Sequence, residues 1–156
     1  MARYTIEFLK YLVGLRDATT HDTPAELNLL ATLAKGRTCI VEVGVYEGAA
    51  SRVLSANMDP QGKLYLVDPY FQELTIEKLF KFSIPEYIAK RAVKPWEAQV
   101  EFIRTTSVEA AQKLAVKKQI DLVFIDAAHH YEAVLEDFKI WSEMLSPTGV
   151  IAFHDS

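Results

Sequence analysis

A chain of 156 residues, half of them hydrophobic and 24% charged, suffices for one domain with a sizeable core and excludes a disordered or fibrous class. Its net charge of −4, from 21 acids against 17 bases, leaves no electrostatic footprint for nucleic acid. Cys39 is the single cysteine, so no intramolecular disulfide can form, which fits a reducing compartment.

The first fifteen residues, "MARYTIEFLKYLVGL", are broken by Arg3, Glu7 and Lys10, which denies them the continuous apolar core of a signal peptide. Phe8, Leu9, Leu12 and Val13 recur at helical spacing and predict an amphipathic helix. No stretch approaches the ~18 apolar residues of a spanning helix, so no membrane partner is expected and the cytoplasm is the default location. Thr23-Pro24-Ala25-Glu26 reads as a helix start, with Thr23 as cap, Pro24 at the first helical position and Glu26 closing a capping box. That helix runs to about Lys35, and Gly36 ends it.

"TCIVEV" is a buried strand, "GAASRVLSANM" a helix, and "KLYLVD" a second strand introduced by the turn "DPQG". "TIEKLFKF" and "PEYIAKRAV" read as two short helices, with Pro85 and Pro95 as interruptions. "AQVEFIRT" is the third strand, and Ser107 is placed to cap the helix "SVEAAQKLAVKK". "IDLVFID" is the fourth and most apolar strand. "HYEAVLEDFKIWSEML" is a helix with its stripe at Val134, Leu135, Phe138, Trp141 and Leu145. "SPTG" is a turn and "VIAF" the fifth strand. Apolar strands alternating with helices predict an α/β fold: a doubly wound, mostly parallel sheet of about five strands with helices on both faces. The absence of a linker or repeat makes it a single domain, with 1–36 as N-terminal helices.

In such sheets the ligand crevice lies outside the carboxyl ends of the strands. Polar residues gather there: Glu42–Gly44, Asp68, Thr106–Ser107, Asp126 followed by His129 and His130, and His154-Asp155-Ser156. The glycine spacing then bears on the ligand. Dinucleotide folds use G-x-G-x-x-G to bring a helix N-terminus to the pyrophosphate. Here Gly44-Val45-Tyr46-Glu47-Gly48 gives G-x-x-x-G with a carboxylate inside the turn. That favours a ligand carrying positive charge and no phosphate, and disfavours a nicotinamide oxidoreductase.

"VEVGVYEGAAS" resembles the glycine motif, E-x-G-x-x-x-G, of the class I S-adenosylmethionine-dependent methyltransferases. "LYLVDPY" resembles the acidic end of their second strand. "DLVFIDAAHHYEAVLEDFKIW" with "LSPTGVIAFHDS" is similar to the small-molecule O-methyltransferase branch, the macrolide sugar O-methyltransferases being the subgroup most alike. The resemblance covers about residues 38–156. It implies S-adenosylmethionine as cofactor, a small-molecule hydroxyl as acceptor, and a Rossmann-like methyltransferase domain across 1–156. It implies that Gly44 and Gly48 let the backbone approach the cofactor, with Tyr46 and Ser51 lining the loop. By the same carry-over Glu42 faces the cationic methionine end, Asp68 takes the ribose diol, Ser107 lies at the adenine, and Asp126 closes the site.

Methyl transfer to oxygen requires alignment of the acceptor and removal of its proton. Two devices are open. His129 or His154 can act as base with Asp126 beside the reacting centre, or Asp126 and Asp155 can hold Mg²⁺, since they match the family's metal-ligand positions. Ala128 and Ser156 stand where the related pattern often has further oxygen ligands. The family's sheet normally continues past "HDS" with two more strands, and this chain stops there. A C-terminally short sheet leaves "VIAF" as an open apolar edge, which predicts a homo-oligomer through that strand. A non-catalytic module that binds the cofactor and works with a partner chain is the alternative reading.

Overall fold

The computed structural model describes residues 2–71, 82–116, 118–127 and 130–154. The expected helix over "TIEKLFKF", and His129 and Asp155, lie outside them, wholly or in greater part. Two N-terminal helices, α1 (Ala2–Leu12) and α2 (Pro24–Ala34), precede the first strand. α2 starts as its sequence requires: the Thr23 hydroxyl accepts from the Glu26 N–H, and the Glu26 carboxylate accepts from the Thr23 N–H at 2.6 Å. There follow β1 (Cys39–Val43), α3 (Ala49–Asn57), β2 (Lys63–Val67), α4 (Ile84–Ala92) and a 3₁₀ turn at Lys94–Trp96. β3 (Val100–Ile103), α5 (Ser107–Lys113), β4 (Ile120–Ile125), α6 (Tyr131–Ser142) and β5 (Leu145–Phe153) complete the chain.

The five strands form an all-parallel sheet in the order β3-β2-β1-β4-β5, so the order reverses between β1 and β4. Strand side chains alternate between the two faces. Ile40, Leu64, Leu66, Leu122 and Phe124 pack with Leu30, Leu54 and Ala89 of α2, α3 and α4. Val41, Val43, Val67, Val123 and Ile125 pack with Ala110, Ala111 and Trp141 of α5 and α6. Near-continuous apolar strands are therefore buried on both faces, as a helix-covered parallel sheet demands.

Three local expectations are revised. Thr106, not Ser107, caps α5, its side chain accepting from the Glu109 N–H. Ser107 is the first helical residue, and its hydroxyl is committed to Asp137 and Trp141. The "SPTG" turn does not precede β5 but lies within it: Leu145 pairs with Ile120 and Val150 with Leu122, so the extra residues bulge out of the ladder. In the stripe of α6, Trp141 is completely buried while Phe138 is half exposed.

Candidate active site at the carboxyl edge of the sheet

Backbone hydrogen bonding continues one step beyond the strands and gathers the polar residues on one edge. Gly44 N–H donates to the Val67 carbonyl at 2.9 Å, Asp126 N–H to Val43 at 2.8 Å and His154 N–H to Ile125 at 3.0 Å. Asp68 N–H reaches Ile103 at 3.3 Å. Gly44 adopts φ +86°, and a Cβ there would overlap the Asp126 carbonyl, so a side chain is excluded where the ends of β1 and β4 converge.

A cavity of about 740 Å³ opens at this reversal point. Among the residues that line it are Gly44, Tyr46, Asp68, Ser107, Asp126 and Asp137. Both oxygens of Asp68 are engaged: Oδ2 accepts from the Val45 and Tyr46 N–H groups at 3.0 and 3.1 Å, and Oδ1 from the Tyr70 N–H at 2.7 Å. The carboxylate thus fixes the glycine turn against the end of β2, and Tyr46 is held at φ +50°. On the β3 side, Trp141 Nε1 donates to Ser107 Oγ at 2.9 Å, and the Ser107 hydroxyl donates to Asp137. Burial pushes the Asp137 carboxyl up, against the opposing effect of Ser107.

Not every expected residue faces the cavity. Glu42 is 1% exposed and lies beneath it, absent from the cavity lining; burial raises its carboxyl well above the usual range, with Asp22, Asp126 and Asp68 adding to the effect and Ser51 opposing it. This burial disfavours the charged form of the acid that the sequence places near a cationic ligand. Ser51 is fully buried and also absent from the lining. Gly48 packs against α4 instead of the cavity, since a Cβ there would sit 2.9 Å from Ala89 Cα.

Glu47 also departs from expectation. Arg16 donates to both of its oxygens, at 2.6 and 2.9 Å, and the Thr19 N–H adds a third bond at 2.6 Å. Its charge is compensated from the N-terminal segment and is not presented to a ligand. His21 of the same segment stacks on Tyr46, with ring centroids 6.2 Å apart. Sequence reasoning assigned no role to Arg16 or Asp22, because their contacts cross long separations without a local pattern.

Next to the cavity, His154 Nδ1 lies 3.2 Å from Asp126 Oδ1, and the imidazole side chain is 4% exposed. The sheet therefore brings Asp126 and His154 together; His154 itself does not line the cavity.

A methyltransferase domain model matches residues 41–156, from the middle of β1 through β5. The chain belongs to the methyltransferase domain family. Its five-strand order is that of the Rossmann-like methyltransferase fold. An uncharacterized protein, R132, of Acanthamoeba polyphaga mimivirus is 27% identical over 135 residues, which is 82% of this chain and 56% of that protein. The O-methyltransferase from Bacillus cereus, solved with S-adenosylhomocysteine, superposes with a TM-score of 0.68 at 19% identity. The match covers 94% of this chain and 63% of that one. TomG, an O-methyltransferase of tomaymycin synthesis from Streptomyces achromogenes solved with S-adenosylmethionine, gives 0.67 at 17%, covering 92% and 60%. At these identities the superpositions speak for the fold. The methyltransferase domain spans a little over half the length of the viral relative and about three fifths of those two structures. Among its described residues no helix is long and apolar enough to cross a membrane.

Proposed function

We propose that the domain binds S-adenosylmethionine in the carboxyl-edge cavity and transfers its methyl group to a hydroxyl of a small molecule. The observation that carries this reading is the cavity at the β1/β4 reversal, bordered by Gly44, Asp68 and Asp126 in a chain of the methyltransferase family. The two O-methyltransferases named above were solved with this cofactor or its demethylated product, which supports the assignment.

When bound, the cofactor supplies a methyl group already activated by sulfonium charge. The chain's task is binding, orientation and proton removal. Gly44 and Tyr46 contribute the loop against which the cofactor lies. Asp68, at the end of β2, keeps about one of its roughly four carboxylate lone-pair sites beyond its three backbone donors, for a ribose hydroxyl. Ser107 and Asp137 border the cavity's β3 side, the place for an adenine. Glu42, Ser51 and Gly48 act from behind, by packing and by shaping the turn.

Asp126 borders the cavity and accepts a proton from an aligned hydroxyl, with His154 Nδ1 3.2 Å away to share it. With the cofactor bound, the acceptor oxygen would gain the methyl group that the sulfonium sulfur gives up. The hydroxyl proton leaves through this pair, and His129 is a second candidate base. In the metal-assisted version of this reading, Asp126 and Asp155 hold Mg²⁺. The described residues fit that version only in part, since Asp126 Oδ1 faces an imidazole nitrogen.

The acceptor is sought among sugar, catechol and polyketide hydroxyls, macrolide sugars first. Incubation with radiolabelled S-adenosylmethionine and a panel of these acceptors tests the reading: label in a hydroxyl-bearing product supports it. Transfer confined to amine or thiol acceptors contradicts it.

β5 occupies one edge of the sheet and pairs only with β4 among the described residues. A homo-oligomer through this edge belongs to the same proposal. Light scattering at micromolar concentration reads it, and a monomer at every concentration refutes it.

A further inference from the structure

The cavity wall beyond the end of β3 carries a hydrogen-bond chain of fixed direction. The indole N–H of Trp141 can only donate, and it donates to Ser107 Oγ at 2.9 Å. Trp141 is completely buried, so this bond has no competition from water. The Ser107 hydroxyl keeps its own proton to pass on, and it donates to Asp137 Oδ1. Asp137 is 6% exposed and borders the cavity. Among the described residues no donor reaches its Oδ2. The other polar groups of this wall are engaged or wet. The Thr106 side chain accepts from the Glu109 N–H as the cap of α5, and Glu136, which also borders the cavity, is exposed to solvent.

A buried carboxylate oxygen without a donor is costly, and native structures supply it with a partner. Burial already works against the charge of Asp137, and a donor from a ligand would offset that. An ionised carboxylate accepts only, so with Oδ1 taken by Ser107 the remaining oxygen can read a ligand for an N–H and nothing else. An adenine base offers such a donor in its exocyclic 6-amino group. A hypoxanthine base places a carbonyl oxygen at the same position, and two acceptors would then face each other. We propose that Asp137 is the specificity-determining residue for the base of the cofactor, its Oδ2 accepting from the 6-amino group while Trp141 and Ser107 set its polarity. The inference deepens the cofactor assignment above and rests on it. It makes the domain a reader of 6-amino purines that rejects their 6-oxo counterparts.

The test is calorimetric titration of the purified chain with S-adenosylhomocysteine and with S-inosylhomocysteine, its 6-oxo analogue. The analogue should bind at least about tenfold more weakly, because it sets a carbonyl against Oδ2. In Asp137→Asn, the Ser107 hydroxyl holds the amide oxygen and turns the amide N–H groups toward the cavity. S-adenosylhomocysteine should then lose about tenfold or more in affinity, and the gap between the two ligands should close to within about threefold. The comparison of the two ligands on the unsubstituted chain keeps the test decisive if the variant fails to fold. Absence of S-adenosylhomocysteine binding would overturn the cofactor reading and this inference together. Binding of S-adenosylhomocysteine without preference over the analogue, or a preference as wide in Asp137→Asn as in the unsubstituted chain, would overturn the role of Asp137 alone and leave the cofactor reading standing.

Discussion

Glu42 shows how far a residue's surroundings govern its chemistry. In the sequence it is an acid at a strand end. In the fold it shares the parity of Ile40, so its side chain turns into a helix-covered face where burial disfavours its charged form. Because its folded pKa is raised, the folded state keeps a proton that the unfolded chain has lost once pH exceeds about 4.3, and stability falls by up to about 1.4 kcal/mol per pH unit above that point until the folded group itself ionises. Glu42→Gln should therefore flatten the pH dependence between pH 5 and 7, as read by urea unfolding; an unchanged slope would place the titrating group elsewhere. Asp68 is the opposite case, a strand-end acid legible in the sequence and found bordering the cavity. Hydrogen bonds to charged groups are worth roughly 1.5–3 kcal/mol, so Asp68→Ala should weaken S-adenosylhomocysteine binding by tenfold or more. It should also loosen the turn held through Val45, Tyr46 and Tyr70. Undiminished affinity in calorimetry would remove Asp68 from the ribose position.

At the scale of elements, the N-terminal segment and the glycine turn are joined by a buried ion pair. Glu47 is 1% exposed and Arg16 16%. Arg16 also donates to the carbonyls of Glu7 and Asp17 and to the Thr19 hydroxyl, so it organises the whole segment. Breaking one side of a buried pair costs about 3–5 kcal/mol, and the partial exposure of Arg16 places Arg16→Met near the lower end. Pairing it with Glu47→Leu should recover much of the loss in a double-mutant cycle by urea unfolding. A loss under about 1 kcal/mol would mark the pair as surface-like. Gly44→Ala should be severe for a different reason, because the left-handed backbone and the Asp126 carbonyl leave no room for a methyl group. Strands, helix starts and the glycine turn were readable because each has a local cause, namely apolar runs, the Thr23–Glu26 box and the G-x-x-x-G spacing. Thr106 took the cap from Ser107 because the hydroxyl of Ser107 was drawn to Trp141 and Asp137, partners 34 and 30 positions away that no local pattern announces.

For the whole molecule, alternating strands and helices gave the doubly wound class, and the β3-β2-β1-β4-β5 order places the reversal where Gly44, Asp68 and Asp126 meet. What the sequence could not show is depth. Residues along the sheet edge looked equivalent in one dimension, yet Glu42 and Ser51 lie beneath the cavity while Tyr46, Asp68 and Asp126 border it. The N-terminal segment is the other part that only three dimensions reveal, since Arg16, His21 and Asp22 reach the site from outside the 41–156 family match. The central claim is that this edge holds S-adenosylmethionine, and calorimetric titration of the purified chain with S-adenosylhomocysteine and, separately, NAD tests it most directly. The account predicts saturable binding of about one equivalent of S-adenosylhomocysteine and no heat of binding with NAD, because the G-x-x-x-G turn is not a pyrophosphate cradle. Saturable binding of NAD, or none of S-adenosylhomocysteine, would contradict it.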